Sequence, residues 1–320
     1  MDHYHTFIGI DIGKNNFVVA VYDKKETHEY ANTSEGIVQF LEDYHPHFKN
    51  AICILETTGG YETALLYDLC SKKIPVHRAD TRKVKNFIRS YGNKAKTDIL
   101  DAKALAHYGK ERKDHITLFD PQSKQSRDLF TLVQRRNDLK QILVAEKNRH
   151  QSPSSTTIKP SVDRMLQFLQ LEIKTITDQI KALMDSDSNL KKKQEVLTTV
   201  PGIGEITSAE LLVLLPELGS LNSRKIASLA GLAPKANDSG QFKGYRRVAP
   251  GRCGIKPCLF MAAMAARNSS SHLKTFYENL IARGKKKMVA LAVLMRKILV
   301  IANARLKAYQ SPSQLPLQHA

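Results

Sequence analysis

Residues 7–13 of this chain read FIGIDIG, and this apolar stretch decides the fold of the first part of the protein. A run of this kind is typical of a buried strand, yet it contains Asp11. A carboxylate is costly to bury unless a cation compensates its charge. Gly9 and Gly13 leave space around the side chain. We therefore interpret Asp11 as a functional residue. The plainer alternative is that strand alternation turns it toward an open face of a sheet.

The first 120 residues alternate between strand-like and helical patterns. Short turns separate the first three strand-like runs, which predicts antiparallel hairpins. Helical patterns separate the later runs, which predicts parallel strands with crossover helices. This order is typical of an α/β ribonuclease-H-like (RuvC-like) domain over residues 1–120, in which the first and fourth strands are neighbours. The strand-like runs lie at 6–12, 15–22, about 26–32, 51–56 and 74–79, and the helical patterns at 35–44, 61–72, 81–91 and 98–112.

Three more carboxylates fall where that topology makes them neighbours of Asp11. Glu56 ends the apolar run AICILE at 51–56, and Asp98 and Asp101 open the helical pattern that begins at Thr97. Acids at a helix start often only complement the helix dipole, and Glu56 alone is compatible with a solvated strand end. Together, the four predict a site for two Mg²⁺ ions, with Mn²⁺ as a substitute. Such ions clamp the attacking and leaving oxygens of a phosphodiester.

The charge of the chain is strongly positive and unevenly distributed. The net charge is +18, and residues 241–320 hold fifteen Lys or Arg against the single acid Glu278. This asymmetry favours a nucleic-acid surface; a solvated basic face or a patch for anionic membranes is the alternative. The four cysteines form no CxxC pair, so neither a zinc site nor a disulfide framework is expected. With no apolar run long enough to span a membrane, we expect a cytoplasmic, nucleoid-associated protein.

Residues 121–193 predict two long helices joined by a loop at 151–160. The second helix carries apolar residues at alternating steps of four and three, the pattern of a coiled coil. This seam packs either on the preceding helix of the same chain or on another subunit, and we expect it to contribute to oligomerisation. Its residues are Val162, Leu166, Leu169, Ile173, Ile176, Ile180 and Leu183.

Residues 194–320 predict an all-α domain that begins with a helix-hairpin-helix. The turn VPGIG at 200–204 contains Gly202 and Gly204, whose backbone N–H groups can approach a phosphate at the next helix N-terminus. Further helical patterns lie at 223–232, 255–268, 271–283 and 286–308.

A polar segment at 237–252 combines turn residues with cations. Asn, Asp, Ser and Gly at 237–240 are ordinary turn residues, so Ser239 by its spacing alone is a weak candidate for a nucleophile. The neighbouring cations strengthen it, because they can bind a phosphate and stabilise the transition state of its transfer. No histidine or lysine nearby is an evident base. The cations are Lys243, Arg246, Arg247 and Arg252.

Taken together, these motifs resemble the DEDD-type insertion-sequence transposases, a family that includes the Piv-type DNA invertases and the bridge-RNA-guided recombinases. The resemblance rests on GID at 9–11, LETTG at 55–59, KTDILDA at 96–102, VPGIG at 200–204 and the segment around Ser239. It implies that the four carboxylates bind the metal and that Ser239 becomes covalently linked to DNA. It also implies a tetrameric synaptic complex and a structured guide RNA.

The expected function is that of a transposase that excises and inserts an insertion sequence by strand cleavage and exchange. Its partners would be donor and target double-stranded DNA. The alternative is a hydrolytic RuvC-like endonuclease, such as a Holliday-junction resolvase, in which Ser239 is structural. A third class is a nucleic-acid-binding protein without catalysis. A covalent protein–DNA adduct separates the first class from the second, and metal-dependent cleavage excludes the third.

Overall fold

The computed structural model describes residues 4–92, 97–235, 238–240, 242–244, 247–248 and 250–310. The chain divides into two compact units, Met1–Gln122 and Ser123–Ala320. Within the described ranges, no helix is long and apolar enough to cross a membrane.

The first unit contains a five-stranded mixed sheet with the strand order β3-β2-β1-β4-β5. β1 is antiparallel to β2, β2 is antiparallel to β3, and β1, β4 and β5 are parallel. The expected neighbourhood of the first and fourth strands is therefore confirmed. The strands are β1 (Thr6–Ile12), β2 (Asn16–Val21), β3 (Thr27–Ala31), β4 (Ala51–Glu56) and β5 (Val76–Ala79), and the helices are α1 (Ser34–Asp43), α2 (Thr63–Ser71), α3 (Thr81–Ser90) and α4 (Asp98–Glu111).

Helices cover both faces of this sheet. On one face, alternate strand residues such as Ile8 and Ile10 join a core with Phe40 and Leu65 of α1 and α2. On the other face, Phe7, Ile52 and Ile54 pack with residues of α3 and α4, such as Val84 and Leu105. Because side chains alternate along a strand, Asp11 and Glu56 belong to the α3–α4 face.

The second unit is mainly helical. Its described residues also include four strands of two residues each, which depart from the all-α expectation. β6 pairs with β9 and β7 with β8, both antiparallel, and Gly240 has φ +55° in the turn after β7. The helices are α5 (Lys124–Gln151), α6 (Lys159–Ser186), α7 (Ser188–Thr198), α8 (Glu205–Leu214), α9 (Ser223–Leu229), α10 (Ile255–Asn268), α11 (His272–Ala282) and α12 (Lys287–Gln310), and the strands are β6 (Pro234–Lys235), β7 (Asp238–Ser239), β8 (Phe242–Lys243) and β9 (Arg247–Val248).

The apolar seam of α6 is covered within the chain itself. Val162, Leu169 and Ile180 are buried, and the C-terminal part of the seam packs against Leu129 and Val133 of α5. Arg136 of α5 reinforces this packing, since it donates to Thr177 of α6 and forms an ion pair with Glu210 of α8. The structure thus packs these seam residues within the chain, and a contribution of the seam to oligomerisation stays a prediction.

Candidate active site

Asp11 and Glu56 lie at the same edge of the sheet. The parallel register pairs Ile10 with Leu55, so the next residues along the two strands are Asp11 and Glu56. Both belong to the face of the sheet opposite Ile10 and Leu55 because the side-chain period of a strand is two. Each carboxylate is partly accessible to solvent. Two of the four predicted metal ligands are therefore side by side.

The helix α4 lies directly over β1 because Gly9 has no side chain. A Cβ at Gly9 would be 2.1 Å from the carbonyl oxygen of Ala102. Further along α4, a Cβ at Gly109 would meet Ile54 at 2.4 Å and Phe7 at 3.3 Å. The helix therefore runs opposite to β1, and its N-terminus lies over the end of the strand that carries Asp11.

The two acids at the start of α4 have different surroundings. Asp98 precedes Ala102 by four residues, which places it on the sheet-facing side of the helix, about 6 Å nearer the N-terminus. It is exposed. Asp101 is partly buried and lines a cavity of about 200 Å³ between α3 and α4. Thr97 caps the helix, since its side chain accepts from the N–H of Leu100.

The four carboxylates thus lie at one end of the unit, but they do not form a closed ligand set. Over the described part of the chain, no group of three or more His, Cys, Asp or Glu side chains is arranged to hold a metal ion. Asp11 and Glu56 are neighbours across the two strands, and α4 carries Asp98 and Asp101 over the same end of the sheet. The metal-binding role of the tetrad stays a prediction.

Sequence reasoning missed Glu62, a buried carboxylate in the loop that follows β4. Glu62 is fully buried. It accepts from the N–H and hydroxyl of Thr58 and from the N–H of Gly60, and it forms an ion pair with Arg78 of β5. Burial alone would raise its pKa, but these hydrogen bonds and the charge of Arg78 lower the pKa below its ordinary value. Glu62 therefore holds the loop next to Glu56 as a buried anion.

Glycines at positive φ make this loop possible. Gly59 and Gly60 have φ +81° and +115°, a conformation that residues with a Cβ rarely adopt. The signal in the sequence was a Gly-Gly pair two residues before an acid. A second connection comes from Asn32, whose amide donates to the carbonyl oxygens of Gly13 at 3.0 Å and Tyr61 at 3.1 Å. Asn32 thus ties the loop after β1 to the loop after β4.

Ser239 lies in the short β7–β8 hairpin of the second unit. It pairs with Phe242 in the antiparallel register and is exposed. An exposed hydroxyl at a hairpin end is accessible to a DNA strand. The backbones of Lys243 and Arg247 lie in β8 and β9, while Arg246 lies outside the described residues. The nucleophile and these phosphate contacts remain predictions.

Arg252 has partners within the protein. Its guanidinium makes a two-pronged ion pair with Glu217, at 2.6 and 2.8 Å, and donates to the carbonyl oxygen of Leu214 at 2.8 Å. Burial opposes the ionisation of Glu217, but the hydrogen bond from Arg252, a backbone hydrogen bond and the charge of Arg252 together lower the pKa of Glu217. In this arrangement Arg252 fixes the segment that follows β9 to the end of α8, and its proposed phosphate contact would compete with Glu217.

The two glycines of the helix-hairpin-helix turn have different roles. Gly202 has φ +91°, and a Cβ there would be 2.2 Å from the carbonyl oxygen of Ala262, so it allows close packing on α10. Gly204 precedes α8, is exposed, and has open space around its Cα. Gly204 is therefore the more accessible of the two, and phosphate binding at this turn stays a prediction. Glu205, which pairs with Lys181 at 3.0 Å, adds a negative charge at the same helix end.

Comparison with known proteins identifies the class to which this architecture belongs. A transposase model of the IS110 DEDD type matches residues 8–153, and a model described as the transposase IS116/IS110/IS902 family matches residues 194–278. Both units are thus parts of a transposase. The chain belongs to the IS110 family of transposases, and this membership implies an activity that cleaves and rejoins DNA.

Individual relatives agree with this assignment. The chain is 29% identical over 309 residues to the pilin gene-inverting proteins of Moraxella lacunata and Moraxella bovis, which covers 93% of this chain and 95% of each relative. It is 31% identical over 152 residues to the insertion element IS110 uncharacterized 43.6 kDa protein of Streptomyces coelicolor, or 47% of this chain and 36% of that protein.

Proposed function

We propose that this transposase excises and inserts its insertion sequence by metal-dependent cleavage at Asp11, Glu56, Asp98 and Asp101, with strand exchange through a covalent link between Ser239 and DNA. The observation that carries the proposal is the pairing of Asp11 with Glu56 at the ends of adjacent parallel strands, under the N-terminus of α4. Three antiparallel strands followed by two parallel ones support a RuvC-like fold for this unit.

The donor set suits Mg²⁺. Carboxylate oxygens are the ligands that this hard cation prefers, and neither sulfur nor imidazole belongs to the proposed tetrad. Bound Mg²⁺ would neutralise negative charge on the scissile phosphate. The protein's own contribution is to keep Asp11 and Glu56 at fixed positions through the strand register, Asn32 and Glu62. The α4 N-terminus supplies Asp98 and Asp101 from the opposite side.

Ser239 would conserve the energy of the cleaved bond. Attack of its hydroxyl oxygen on a backbone phosphorus forms a serine phosphodiester and releases one DNA end as an alcohol. Attack by the alcohol of another DNA end reverses the step and frees the serine. The Moraxella relatives are named for inverting a pilin gene, and rejoining of this kind suits inversion as well as insertion.

Replacing Asp11 with Asn tests the acidic site. The change keeps the shape of the side chain but removes the charge of one metal ligand. Mg²⁺-dependent nicking of a donor plasmid should therefore fall at least about 100-fold. The unfolding midpoint should stay the same or rise, because the repulsion between Asp11 and Glu56 is relieved. Asp114→Asn is the matched control, since Asp114 is exposed in the short helical turn after α4. Nicking by Asp11→Asn at the wild-type rate would exclude the site.

Replacing Ser239 with Ala tests the covalent step. The wild-type protein should form a protein–DNA adduct that survives denaturation, and Ser239→Ala should form none. Ser220→Ala is the control, because Ser220 is an exposed serine of the same unit whose hydroxyl only donates to the Glu217 carbonyl. Cleavage by the wild-type protein without any adduct would favour the hydrolytic endonuclease instead.

We also propose a tetramer that works with a guide RNA. The seam of α6 is already covered, but Met165, Phe168 and Leu171 form an exposed apolar stripe along the same helix, and such stripes are typical of protein interfaces. Phe168→Asp should lower the mass of the DNA-bound complex without unfolding the chain.

The guide RNA is tested by RNase treatment of the purified complex. This treatment should abolish recombination if RNA directs it, and recombination that survives RNase would remove the RNA from the proposal.

Replacing Asp11 in one copy and Ser239 in another tests whether subunits share an active site. We expect a mixture of Asp11→Ala and Ser239→Ala proteins to recover strand exchange, because each copy supplies the group that the other lacks. A mixture that assembles on DNA but stays inactive would place both groups within one subunit.

A further inference from the structure

Four aromatic rings form a partly exposed cluster beside the acidic site. We refer to Tyr22, Phe87, Tyr91 and His107 as the aromatic shelf. The His107 ring lies at the centre, with its centroid 5.6 Å from that of Tyr22, 5.5 Å from that of Phe87 and 5.0 Å from that of Tyr91. Tyr91 is 52% exposed and Tyr22 is 36% exposed. Rings with this exposure present flat apolar surface to solvent.

Packing of α3 on α4 does not require the exposed rings. Val84, Leu105 and Tyr108 already bury the contact between these helices, and Phe87 meets Tyr108 at a centroid distance of 5.3 Å. Tyr91 follows the last residue of α3 and keeps half of its surface in solvent. The outer part of the aromatic shelf is therefore available for a ligand.

The surroundings of the shelf indicate the charge of that ligand. The sequence of α3 contains four cations and no acid, and all four cations are exposed. Two acids lie nearby on α4, namely Glu111, whose carboxylate is 3.7 Å from the His107 ring, and Asp101. By helical geometry, Lys83 lies one turn from Phe87 on the shelf side of α3, whereas the other three cations lie on the opposite side. Lys103 of α4 also lines the cavity beside the rings. Cations beside exposed rings are typical of surfaces that bind single-stranded nucleic acid. The four cations of α3 are Arg82, Lys83, Lys85 and Arg89.

A cavity connects the shelf to the proposed active site. The cavity has a volume of about 200 Å³, and its lining includes Leu100 and Asp101 as well as three rings of the shelf, Phe87, Tyr91 and His107. Asp101 and His107 are six residues apart on α4, which is about 9 Å along the helix. A base on the shelf would therefore belong to a nucleotide close to the one whose phosphate approaches the carboxylates.

We propose that the aromatic shelf binds an unpaired base of the DNA strand that is presented to the acidic site. The base stacks on Tyr91, and Lys83 and Lys103 contact the adjoining phosphates. Stacking on an aromatic ring does not depend on which base is present, so the shelf would hold a strand open without reading its sequence. This inference rests on the proposed function, because it takes DNA as the substrate of the carboxylates.

A fluorescent base tests the stacking directly. A DNA duplex with a central unpaired stretch carries 2-aminopurine in that stretch, and the full-length protein is added in buffer with EDTA, so that no cleavage occurs. Wild-type protein should quench the fluorophore, and Tyr91→Ala should lose the quenching and bind this probe about tenfold more weakly. Its affinity for a fully paired duplex of the same length should stay within about twofold, because phosphate contacts dominate duplex binding.

Three controls make the result specific. Tyr91→Phe keeps the ring and should quench as the wild type does, and Tyr309→Ala removes an exposed ring of the second unit and should change nothing. An unpaired RNA of the same sequence should compete less well than the DNA. Three outcomes would each overturn the proposal. The first is an equal drop in the affinity of Tyr91→Ala for both duplex probes, the second is quenching that persists in that variant, and the third is stronger competition by RNA than by DNA.

The test also separates the shelf from the chemistry. Quenching is measured without metal, so it does not depend on cleavage. If Asp11→Asn cleaved DNA normally, the proposed function would fail while the quenching result would still report on the shelf. If quenching were absent while Asp11→Asn was inactive, the shelf proposal alone would fail.

Discussion

Gly9→Ala perturbs the contact that places α4, and with it Asp98 and Asp101, over Asp11. The added Cβ would lie 2.1 Å from the carbonyl oxygen of Ala102, whereas ordinary contacts begin at 3.4 Å. The obstacle is helix backbone and not the end of a flexible side chain. The helix must therefore retreat by about 1.3 Å, the difference between these two distances.

The expected effects follow from this displacement. Overpacking of a core by one methyl group costs about 1–3 kcal/mol of unfolding free energy, so the variant should remain folded. A displacement of about 1 Å at a catalytic group lowers the rate by roughly 100-fold. We expect the nicking activity of Gly9→Ala to fall by this order in saturating Mg²⁺ at a temperature well below its unfolding midpoint.

Plasmid nicking and amide hydrogen exchange together measure the two effects. The matched control is Gly109→Ala, which overpacks the same helix against the movable side chain of Ile54. Gly109 lies eleven residues from Asp98, about 16 Å along α4. The control should be destabilised to a comparable degree but keep most of its activity. Wild-type nicking by Gly9→Ala, with unchanged exchange in α4, would refute the view that this contact positions the acids.

Three further outcomes are expected. Glu62→Gln should lower the unfolding free energy by about 2 kcal/mol at neutral pH. Because the folded-state pKa of Glu62 is lowered, the difference in unfolding free energy between the two proteins should shrink as the pH falls below about 4.3. A difference that does not change with pH would contradict the buried-anion role. Arg252→Ala should destabilise the second unit by about 1–2 kcal/mol in urea unfolding, because the change breaks the ion pair with Glu217. Unchanged stability would contradict this structural role and leave DNA binding as the role of Arg252. Replacing Arg246 and Arg247 with Ala should reduce the log–log salt slope of duplex binding by about 0.9 for each phosphate that the variant no longer neutralises, and an unchanged slope would place the phosphate surface elsewhere.

Local patterns in the sequence determined most of the secondary structure. Apolar runs such as 6–12 and 51–56 became β1 and β4 with the expected bounds, and the helical pattern at 98–112 became α4. These elements are predictable because period-2 and period-3.6 patterns reflect which face of each element is buried. The order of the elements also predicted that β1 and β4 are neighbours, and this neighbourhood places Asp11 beside Glu56.

Only the tertiary structure decided which groups meet across long separations. Glu62 is one acid among many in the sequence, and its role depends on burial against Arg78, sixteen residues away. The aromatic shelf joins Tyr22 to Tyr91 and His107 through the packing of three separate segments. The pattern of the α6 seam is compatible with a partner helix in the same chain or in another subunit, and only the structure shows α5 packed against the C-terminal part of the seam. In each case periodicity reports that a side chain is buried or exposed but not what it contacts, because contacts depend on how the chain folds back on itself.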